Sequence, residues 1–430
     1  MDQIVVSGGR RLHGNVVISG SKNGTLPLLA AAMLVEGESI IENVPEIDDV
    51  HTMLRMLVAL GVKCEFIAPG TLSIDATEIS STEAPYHLVR KMRGSFYVAG
   101  PLLARTGHAE VPLPGGCVIG SRPVDFHVQG FKALGAQVHE DAGVMVASAT
   151  RLRGARIYLD PRLRSVGATI NIMLAASLAE GTTIIESASR EPEVVCCAEF
   201  LRECGANLSG VGGSTLIIRG VDKLHGCRFR SIPDRMEAGT FMYAAAAAGG
   251  NILLESVRPD HLTVVIEALQ SAGVQVGFGD DWIKVSREHD RPEAVDIMTA
   301  PYPGYPTDLQ PNHGVMAALA HGTSIIEETI FDARFNYTDE LARMGANIKV
   351  VGRAAIIKGV DKLSGAPVEA ADIRAGAALV LAALAAEGRT EITGTEFIDR
   401  GYERFVDKLR PLGAQISRCN AEGKEAACLG

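Results

Sequence analysis

One cysteine of this chain lies in a setting that favours chemistry over packing. Cys117 stands in the glycine-rich stretch 112–120, and Arg122 follows five residues later. A thiol beside an arginine and free backbone N–H groups has a lowered pKa and can act as a nucleophile or a proton donor. Most free cysteines are small buried residues instead, but an inserted loop is a poor place for a core residue. The sequence therefore predicts a chemical role for Cys117.

Lys22 and Asp308 each precede an apolar, helix-like segment. Lys22 lies in the turn Gly-Ser-Lys-Asn-Gly, which resembles a phosphate-binding loop but does not match the pattern GxxxxGK[ST]. Asp308 follows Pro306 and Thr307. As a helix-capping acid it would be structural, and as a general base it would have to lie buried beside a substrate hydroxyl. The residues alone leave both roles open for Asp308.

Arginines recur at equivalent loops of a chain that is acidic as a whole. The 41 basic and 51 acidic side chains give a net charge of −10. The loop after the second predicted strand nevertheless carries an arginine in five of six repeated units, at Arg122, Arg190, Arg258, Arg334 and Arg400. Because the guanidinium group binds phosphate and carboxylate with a planar fork, the set indicates an enzyme for a multiply anionic substrate. A repeated structural ion pair is the alternative explanation.

The repeated units are defined by a small tripeptide with a central glycine. These glycines lie about 70 residues apart and account for the whole length of 430 residues: Gly61, Gly135, Gly205, Gly273, Gly345 and Gly413. Each unit predicts the order strand, helix, strand, helix, strand. The first helix is apolar nearly all round and should be buried, whereas the second is amphipathic. The fold class is therefore α/β, with buried helices inside and strands and amphipathic helices outside.

The helices can be placed from this pattern. Buried helices are predicted at 26–34, 168–179, 238–248, 314–320 and 375–386, and amphipathic helices at 50–60, 194–204, 261–272, 338–344 and 402–412. Polar residues gather where the buried helices begin, at 21–23, 92–95, 164–165, 234–235, 307–308 and 372–374. If the units are arranged alike, these N-termini converge and offer N–H groups and positive dipole ends that suit phosphate. Pro27 is expected in the first turn of its helix.

Composition and motifs disfavour several other classes of protein. The net charge and an aromatic content of 5% disfavour nucleic acid as a partner. No GxGxxG follows a predicted strand, and no HExxH or clustered histidine pair is present. The eight cysteines show no CxxC pair, which predicts free thiols in a reducing cytoplasm. No signal peptide is expected, and the uncharged stretch 238–254 predicts a buried helix running into a strand rather than a membrane span.

Short motifs run in a fixed order through nearly the whole chain, up to about Ile416. They are residues 21–23, 92–93, 114–125, 190–193, 233–235, 306–308, 331–335, 372–374 and 398–403. Together they resemble the UDP-N-acetylglucosamine 1-carboxyvinyltransferases, a branch of the enolpyruvyl transferase family. The number and order of the matches make this resemblance specific.

The resemblance implies a two-domain, inside-out α/β barrel built from six inverse α/β units around buried helices. One domain would be residues 22–229, with a mobile Cys117 loop, and the other residues 1–21 plus 230–430, with three units in each. The active site would lie between the domains, which would close on the nucleotide sugar. The expected partners are small-molecule substrates, without nucleic acid or membrane, and the oligomeric state stays open. No metal or organic cofactor is implied.

The implied reaction transfers the enolpyruvyl group of phosphoenolpyruvate to the 3′-hydroxyl of UDP-N-acetylglucosamine and releases phosphate. This would be the first committed step of peptidoglycan synthesis. Protonation of C3 builds cationic character at C2, which the hydroxyl then attacks. The resemblance makes Cys117 the acid, also able to form a covalent adduct, and Asp308 the base. Lys22 and Arg400 would complete the catalytic set.

The resemblance also implies two sets of binding residues. Phosphoenolpyruvate would be held by Lys22, Asn23, Arg122, Arg334, Arg374 and Arg400. The nucleotide sugar would be bound by Asn23, Arg93, Arg122, Pro123, Val124, Asp125, Phe126, Ser165, Val166, Gly167, Asp308 and Ile330. The sequence departs from the family pattern before Ser165, where Arg162 and Arg164 stand in a stretch that commonly carries a lysine. Gly24-Thr25 replaces the usual two alanines, and Tyr97 replaces a frequent tryptophan.

Two other functions remain open from the sequence. An enolpyruvyl transferase could act on another nucleotide or another hydroxyl acceptor. Its shikimate 3-phosphate relatives lack the Gly-Gly-Cys loop, so Cys117 argues against that acceptor. A catalytically silent sensor of the UDP-sugar would be expected to lose the acid, the base or the phosphate clamp, yet Cys117, Asp308, Lys22 and Arg400 are all present.

Overall fold

The described part of the chain forms two compact units. The computed structural model describes residues 2–113, 124–288, 290–332 and 334–419. The central unit contains residues 20–113 and 124–232. The terminal unit contains residues 2–19 and 233–419, apart from 289 and 333. Within the described residues the chain therefore passes twice from one unit to the other, after residue 19 and after residue 232.

Helices and strands alternate through both units. The α-helices are α1 (Lys22–Ala32), α2 (Asp48–Ala59), α3 (Tyr86–Val89), α4 (Ala99–Thr106), α5 (Asp125–Ala133), α6 (Val166–Ala176), α7 (Pro192–Glu203), α8 (Arg235–Ala248), α9 (Thr263–Ser271), α10 (Gln310–Ala318), α11 (Thr338–Arg343), α12 (Ile373–Ala385), α13 (Thr395–Asp399) and α14 (Phe405–Leu409). Short 3-10 helices span Arg93–Val98, Pro259–His261, Thr307–Leu309 and Arg410–Leu412. The strands are β1 (Gln3–Ser7), β2 (Leu12–Val17), β3 (Glu38–Glu42), β4 (Lys63–Ala68), β5 (Thr71–Asp75), β6 (His108–Pro112), β7 (Gln137–Asp141), β8 (Val144–Ser148), β9 (Arg156–Tyr158), β10 (Thr182–Glu186), β11 (Asn207–Ser209), β12 (Thr215–Arg219), β13 (Arg228–Arg230), β14 (Gly250–Glu255), β15 (Gln275–Phe278), β16 (Trp282–Arg287), β17 (Ile297–Met298), β18 (Thr323–Glu327), β19 (Asn347–Val351), β20 (Ala354–Lys358), β21 (Pro367–Glu369), β22 (Arg389–Thr393) and β23 (Gln415–Cys419).

The described strands form six separate sheets, three in each unit. In the central unit the strand orders are β13-β3-β5-β4, β6-β8-β7 and β11-β12-β10-β9. In the terminal unit they are β15-β16-β14-β2, β17-β18-β20-β19 and β21-β22-β1-β23. Parallel and antiparallel pairs are combined, since β10, for example, pairs in parallel with β9 and antiparallel with β12. This confirms the predicted α/β class with six units, although each sheet has a linear strand order and none of the described sheets closes on itself.

Four of the six repeated units contain one more strand than the sequence pattern predicted; the exceptions are the second, which has no described strand before α4, and the sixth, whose sheet is completed by β1. A hairpin follows the second helix, as in β4–β5 and β19–β20, so the order is strand, helix, strand, helix, strand, strand. The first hairpin strand is mostly exposed, as β19 shows, and it therefore lacks the alternation of buried and exposed residues that marks a half-buried strand. Its partner β20 keeps that alternation.

Six helices, one from each repeated unit, are buried, and five of them lie near the positions predicted from the sequence. They are α1, α4 and α6 in the central unit and α8, α10 and α12 in the terminal unit, and each unit has its own apolar core. Leu28 of α1 and Phe241 of α8 have no exposed surface. Pro27 was expected in the first turn, but Ser21 caps α1 and Pro27 lies inside the helix. The helix predicted at 402–412 is instead divided into α14 and the 3-10 helix Arg410–Leu412.

The repeated glycines explain how the second helix of each repeated unit ends before the chain enters the next strand. All six have a positive φ, between 78° and 98°: Gly61, Gly135, Gly205, Gly273, Gly345 and Gly413. This left-handed conformation ends helices and strongly favours glycine, because a side chain there is strained. The tripeptide found in the sequence is therefore a helix-ending device repeated once per unit.

At each crossing, the last strand before the crossing pairs within the unit that the chain is leaving. β2 precedes α1 in the chain but pairs with β14 of the terminal unit, and β13 precedes α8 but pairs with β3 of the central unit. Short backbone hydrogen bonds fix the residues after each of these strands, since Ser21 N–H donates to Ile232 O and Asp234 N–H donates to Ser19 O, each over 2.8 Å. The polar starts of α1 and α8 are thereby anchored.

Candidate active site

One carboxylate of the terminal unit is shared by two buried arginines. Arg334 Nη1 lies 2.8 Å from Asp308 Oδ1, and Arg374 Nη2 and Nε both lie 3.0 Å from Asp308 Oδ2. The arginine side chains are 4% and 5% exposed, whereas Asp308 is 26% exposed. Two guanidinium groups favour the ionised carboxylate. The most accessible member of this cluster is thus the acid that sequence reasoning proposed as a base.

The starts of two buried helices bring this cluster together. Asp308 lies in the 3-10 helix that leads into α10, and Arg374 lies in the first turn of α12. Asp372 caps α12 by accepting the N–H groups of Arg374 and Ala375, and its other oxygen accepts from Asn336. The starts of α10 and α12, two of the six helix N-termini that were expected to converge, therefore meet within the terminal unit.

Each of the two arginines has one N–H donor that the described residues do not use. Arg334 Nε and Arg374 Nη1 are buried, and neither donates a hydrogen bond to any of the described residues. A buried charged donor without an acceptor is costly. Aromatic rings flank both groups, since Arg334 lies over Phe331 at 5.3 Å and Arg374 over Tyr402 at 5.4 Å. The cluster can therefore accept an anion with phosphate or carboxylate oxygens.

A fully buried glutamate organises the chain on both sides of the cluster. Glu328 accepts hydrogen bonds from the hydroxyls of Thr299 and Thr307, each over 2.8 Å. It also accepts from the N–H groups of Ile330 and Phe331. Thr307 precedes Asp308, and Ile330 is an expected contact of the nucleotide sugar. Glu328 thus holds these two predicted site segments in one arrangement.

The remaining described members of the repeated arginine set divide between the two explanations. Arg190 donates to Gly212 O, and Arg258 pairs with Asp260 two residues later. These two have local structural partners, as the alternative explanation required. Arg334 belongs to the Asp308 cluster. Arg400 lies half-buried at the end of α13.

In the central unit, Lys22 is held by a short, buried ion pair. Its Nζ lies 2.6 Å from Asp49 Oδ2, and both side chains are almost completely enclosed. Lys22 is the first residue of α1, Asn23 follows it half-buried, and Ser21 Oγ caps the helix by accepting from Gly24 N–H. A lysine in the first turn of a helix suits phosphate, provided that its positive charge is shared between the phosphate and Asp49.

A second polar network of the central unit lies where α5 meets α6. Asn171 Oδ1 accepts from Gly100 N–H over 2.8 Å, which fixes the amide so that its Nδ2 donates to Phe96 O and to His127 Nδ1. Burial, helped by the nearby Arg93 charge, lowers the pKa of His127 to about 3. The ring is therefore neutral and carries its proton on Nε2.

The Nε2 proton of His127 faces the start of α6. A Cβ atom placed on Gly167 would lie 3.1 Å from Nε2, so the ring covers the backbone of this glycine. Ser165 caps α6 by accepting from Ala168 N–H, and Val166 and Gly167 begin the helix. His127 is 7% exposed and its Nε2 has no partner among the described residues. An uncharged donor and a helix N-terminus therefore meet at the predicted nucleotide contact.

The other predicted residues lie near these two networks or outside the described ranges. Arg93 begins a 3-10 helix, Val124 precedes α5, and Asp125 and Phe126 open it. Arg162, one substitute for the family lysine, pairs with Asp160 on the surface, and Arg164 precedes the cap Ser165 with φ of 40°. Cys117, Arg122 and Pro123 lie outside the described residues.

Sequence reasoning missed the groups that position the site. They are Asp49, His127, Asn171 and Glu328, all of them buried. A buried, unexplained polar residue in an apolar helix was the available signal for Asn171. Asp49, His127 and Glu328 had no such signal, because their partners are distant in the chain or depend on a particular packing.

Two other kinds of feature are absent from the described residues. No group of three or more His, Cys, Asp or Glu side chains among them could hold a metal ion. No described helix is long and apolar enough to cross a membrane.

Comparison with known proteins places the chain in a family. Residues 6–409 match the family model described as EPSP synthase (3-phosphoshikimate 1-carboxyvinyltransferase). The chain is 52% identical over 417 residues to UDP-N-acetylglucosamine 1-carboxyvinyltransferase 2 of Symbiobacterium thermophilum, covering 97% of this chain and 98% of that protein. It is 48% identical over 423 residues to UDP-N-acetylglucosamine 1-carboxyvinyltransferase of Enterobacter cloacae, covering 98% and 100%.

Solved structures agree with this placement. The enolpyruvyl transferase NikO of Streptomyces tendae matches with a TM-score of 0.88 and 26% identity over 99% of each chain. An EPSP synthase of Acinetobacter baumannii matches with a TM-score of 0.76 and 20% identity, over 98% of this chain and 100% of that one, and shows the shared fold alone. The chain belongs to the EPSP synthase family of enolpyruvyl transferases.

Proposed function

We propose that this protein transfers the enolpyruvyl group of phosphoenolpyruvate to the 3′-hydroxyl of UDP-N-acetylglucosamine, releasing phosphate. The observation that carries the proposal is the Asp308 cluster, in which two buried guanidinium groups hold one accessible carboxylate and retain donors for an anion. The names of the two relatives supply the acceptor. The reaction would serve peptidoglycan synthesis.

The cluster suits both halves of this chemistry. Phosphoenolpyruvate carries a phosphate and a carboxylate, which can take the spare donors of Arg334 and Arg374 and share their charge with Asp308. When the substrate anion shares the positive charge of the two arginines, less of that charge stabilises the ionised Asp308 carboxylate. Asp308 can then accept the proton of the attacking hydroxyl. The guanidinium groups also stabilise the phosphate as it leaves C2. Arg400 is proposed to join them.

The central unit is proposed to supply Lys22 and Asn23 to the phosphate and a separate set of residues to the nucleotide. Arg93, Val124, Asp125, Phe126, Ser165, Val166 and Gly167 would bind the UDP-sugar, with Arg122, Pro123 and Ile330. The His127 Nε2 proton and the start of α6 support this assignment, because helix N-termini favour phosphate oxygens. Arg164 would take the place of the family lysine, since Arg162 is already paired with Asp160.

Residues of both units are proposed to act in this one reaction, with domains at 22–229 and at 1–21 plus 230–430. A cytoplasmic setting is proposed as well, and the free state of the six described cysteines supports it. Cys117 is proposed to protonate C3.

The role of Cys117 can be tested directly by its reactivity. Fosfomycin, an epoxide antibiotic, should alkylate a reactive Cys117 thiol and add its own mass to the protein. Intact-mass spectrometry under turnover conditions measures that adduct, and Cys117→Ser is the matched control. No adduct on the wild-type protein would count against a reactive thiol at this position.

The proposed function is tested by phosphate release from phosphoenolpyruvate. UDP-N-acetylglucosamine is offered as acceptor beside shikimate 3-phosphate and UMP. Release with the UDP-sugar alone is the expected result. Release with another acceptor would keep the chemistry but overturn the acceptor, and folded protein that releases no phosphate with any of them would favour the silent sensor.

A further inference from the structure

Two cysteines of the central unit meet although they lie on different elements. Cys204 ends α7, and Cys227 stands directly before β13. Their sulfur atoms are 3.4 Å apart, in van der Waals contact. The backbone between them fixes this approach, because His225 N–H donates to Cys204 O over 3.0 Å. Among the described cysteines, this is the pair whose thiols hydrogen-bond to each other.

The two thiols differ in ways that suit successive steps of an oxidation. Cys204 is fully buried, whereas Cys227 is partly exposed to solvent. The hydrogen bond from Cys204 lowers the pKa of Cys227 against the opposing effect of burial. The same hydrogen bond, together with burial, raises the pKa of Cys204. The accessible sulfur is therefore the better thiolate, and the enclosed sulfur lies against it.

The other described cysteines lack this arrangement. Burial raises the pKa of Cys64 and of Cys196 to about 12 each. Cys197 is enclosed, and its thiol donates weakly to Pro27 O. Adjacent thiols at Cys196 and Cys197 are on one helix, where neighbouring side chains diverge. The contact of Cys204 with Cys227 thus stands out from the sequence-based expectation that these cysteines only fill space.

We propose that Cys204 and Cys227 form an oxidation site that a peroxide converts into an intramolecular disulfide. The Cys227 thiolate attacks one oxygen of hydrogen peroxide, which breaks the O–O bond and leaves a sulfenic acid and hydroxide. The hydroxide takes up the proton that the Cys227 thiol had released and becomes the first water. The Cys204 thiol then attacks the Cys227 sulfur, the S–S bond forms, and the hydroxyl leaves as a second water with the Cys204 proton. Two thiols are oxidised by two electrons, and hydrogen peroxide is reduced to two waters.

The disulfide would fasten β13, because the residues that follow this strand are hydrogen-bonded to the start of α1. After β13, Ser231 O accepts from Asn43 Nδ2 and Ile232 O accepts from Ser21 N–H, the cap of the helix that begins with Lys22. A covalent link at Cys227 restricts the opening of this segment. The oxidation of Cys204 and Cys227 does not depend on the proposed function. Only the effect of the disulfide on the α1 start, where Lys22 is proposed to bind phosphate, rests on that function.

The site is tested by treating the folded, full-length protein with hydrogen peroxide, blocking the remaining thiols and digesting with trypsin without reduction. The expected product joins the peptides 203–219 and 224–228, with the loss of two hydrogen atoms. Cys227→Ser should abolish the joined peptide, whereas Cys64→Ser, which removes a thiol that is not in the pair, should leave it unchanged. Mapping on the wild-type protein needs no variant to fold.

Hydrogen exchange measures whether the disulfide restricts the opening of the segment after β13. The amides of Ser21 and of β13 should exchange several-fold more slowly after oxidation, and a thiol reductant should restore the original rates. The proposal is overturned if Cys227 accumulates sulfinic acid without a link to Cys204, or if both thiols stay reduced while other thiols react. Unchanged exchange in a protein that carries the disulfide would overturn the fastening of the α1 start.

Discussion

The polar clusters of the two units differ in their electrostatic balance. In the terminal unit, Asp308 faces two guanidinium groups, whereas in the central unit Lys22 faces the carboxylate of Asp49. The His127 ring beside α6 adds no charge, because burial keeps it neutral with a pKa of about 3. Asp308 thus directly contacts two positive groups, whereas Lys22 directly contacts one negative group.

This difference indicates two kinds of recognition within one family fold. An anion gains most from Arg334 and Arg374, which have donors to spare. Lys22 is already paired with Asp49, so a bound anion has to share the lysine's positive charge with that carboxylate. The neutral His127 donor selects a ligand by geometry rather than by charge. We therefore expect substitutions in the terminal cluster to affect turnover and phosphoenolpyruvate, and those beside α6 to affect the nucleotide sugar.

The largest effect is expected for Asp308→Asn. The amide keeps the size of the side chain but is a poor proton acceptor, so kcat should fall by about 10²–10⁴-fold. Binding of UDP-N-acetylglucosamine, measured by calorimetry, should change little. The exposed Asp361→Asn, whose parent side chain is 96% exposed, is the matched control. A variant at position 308 with nearly full activity would show that Asp308 is only a structural acid.

Arg374→Lys should have the next largest effect. Lysine keeps the charge but loses the fork that meets Asp308 through both Nε and Nη2. Charge-assisted hydrogen bonds contribute about 1.5–3 kcal/mol each, so KM for phosphoenolpyruvate should rise by about 10- to 100-fold. Steady-state kinetics with either substrate varied would check this. The surface Arg389→Lys should leave KM unchanged, and an equal effect of both variants would refute the special role of the buried fork.

Gly167→Ala tests the neutral side of the comparison. Its new methyl group would meet His127 Nε2 at 3.1 Å and displace the ring from the start of α6. We expect about tenfold weaker binding of the UDP-sugar, equivalent to about 1.4 kcal/mol, with kcat nearly unchanged. Gly277→Ala is the control, because its nearest neighbour would be 4.0 Å away. A fall in kcat without weaker binding would contradict the assignment to recognition.

The smallest effect is a difference in acid stability between the units. His127 has its pKa lowered by burial from 6.5 to about 3, so its stabilising contribution is lost as the pH falls below 6.5. His313 in the terminal unit behaves alike, with its pKa lowered by burial to about 4. Burial also raises the pKa of Glu237 to about 7, against the attraction of Lys408. This carboxyl makes the terminal unit more stable as the pH falls from 7 towards 4.5.

In the terminal unit, the loss of stability caused by His313 and the gain caused by Glu237 should nearly cancel between pH 6.5 and 5.5. The central unit should lose about 1 kcal/mol of its free energy of unfolding over the same interval. Native-state hydrogen exchange, corrected for the intrinsic effect of pH, measures each unit separately. Equal losses in both units would show that these buried groups do not control acid stability, and Glu237→Gln should remove the compensation in the terminal unit.

The repeat made much of the fold predictable. Buried helices such as α8 were found because apolar residues surround them, and the glycines at helix ends marked each unit. The extra hairpin strand escaped because β19 is exposed on most of its length and so carries no alternation. The Pro27 position was wrong because the cap at Ser21 fixes where α1 begins, earlier than the apolar pattern does.

The candidate site was predictable only in part. Asp308, Arg334, Arg374 and Lys22 were found as chemical types at the starts or loops of repeated units. The groups that position them were not predictable, because Asp49 meets Lys22, and Glu328 meets the Thr307 hydroxyl before Asp308, only through the packing of separate elements. The pairing of β2 and β13 within the unit that the chain is leaving likewise has no local signal, since each strand looks like its counterparts in the other repeats.

The sequence by itself determined the α/β class, the number of units and the polar helix starts, because hydrophobic periodicity and helix-ending glycines act over a few residues. Only the tertiary structure decided which of these groups meet. It placed Asp308 between Arg334 and Arg374, turned the His127 proton towards Gly167, and brought the Cys204 and Cys227 sulfurs into contact. Such pairings depend on distances of a few ångströms between remote segments, and those distances are set by how the helices pack.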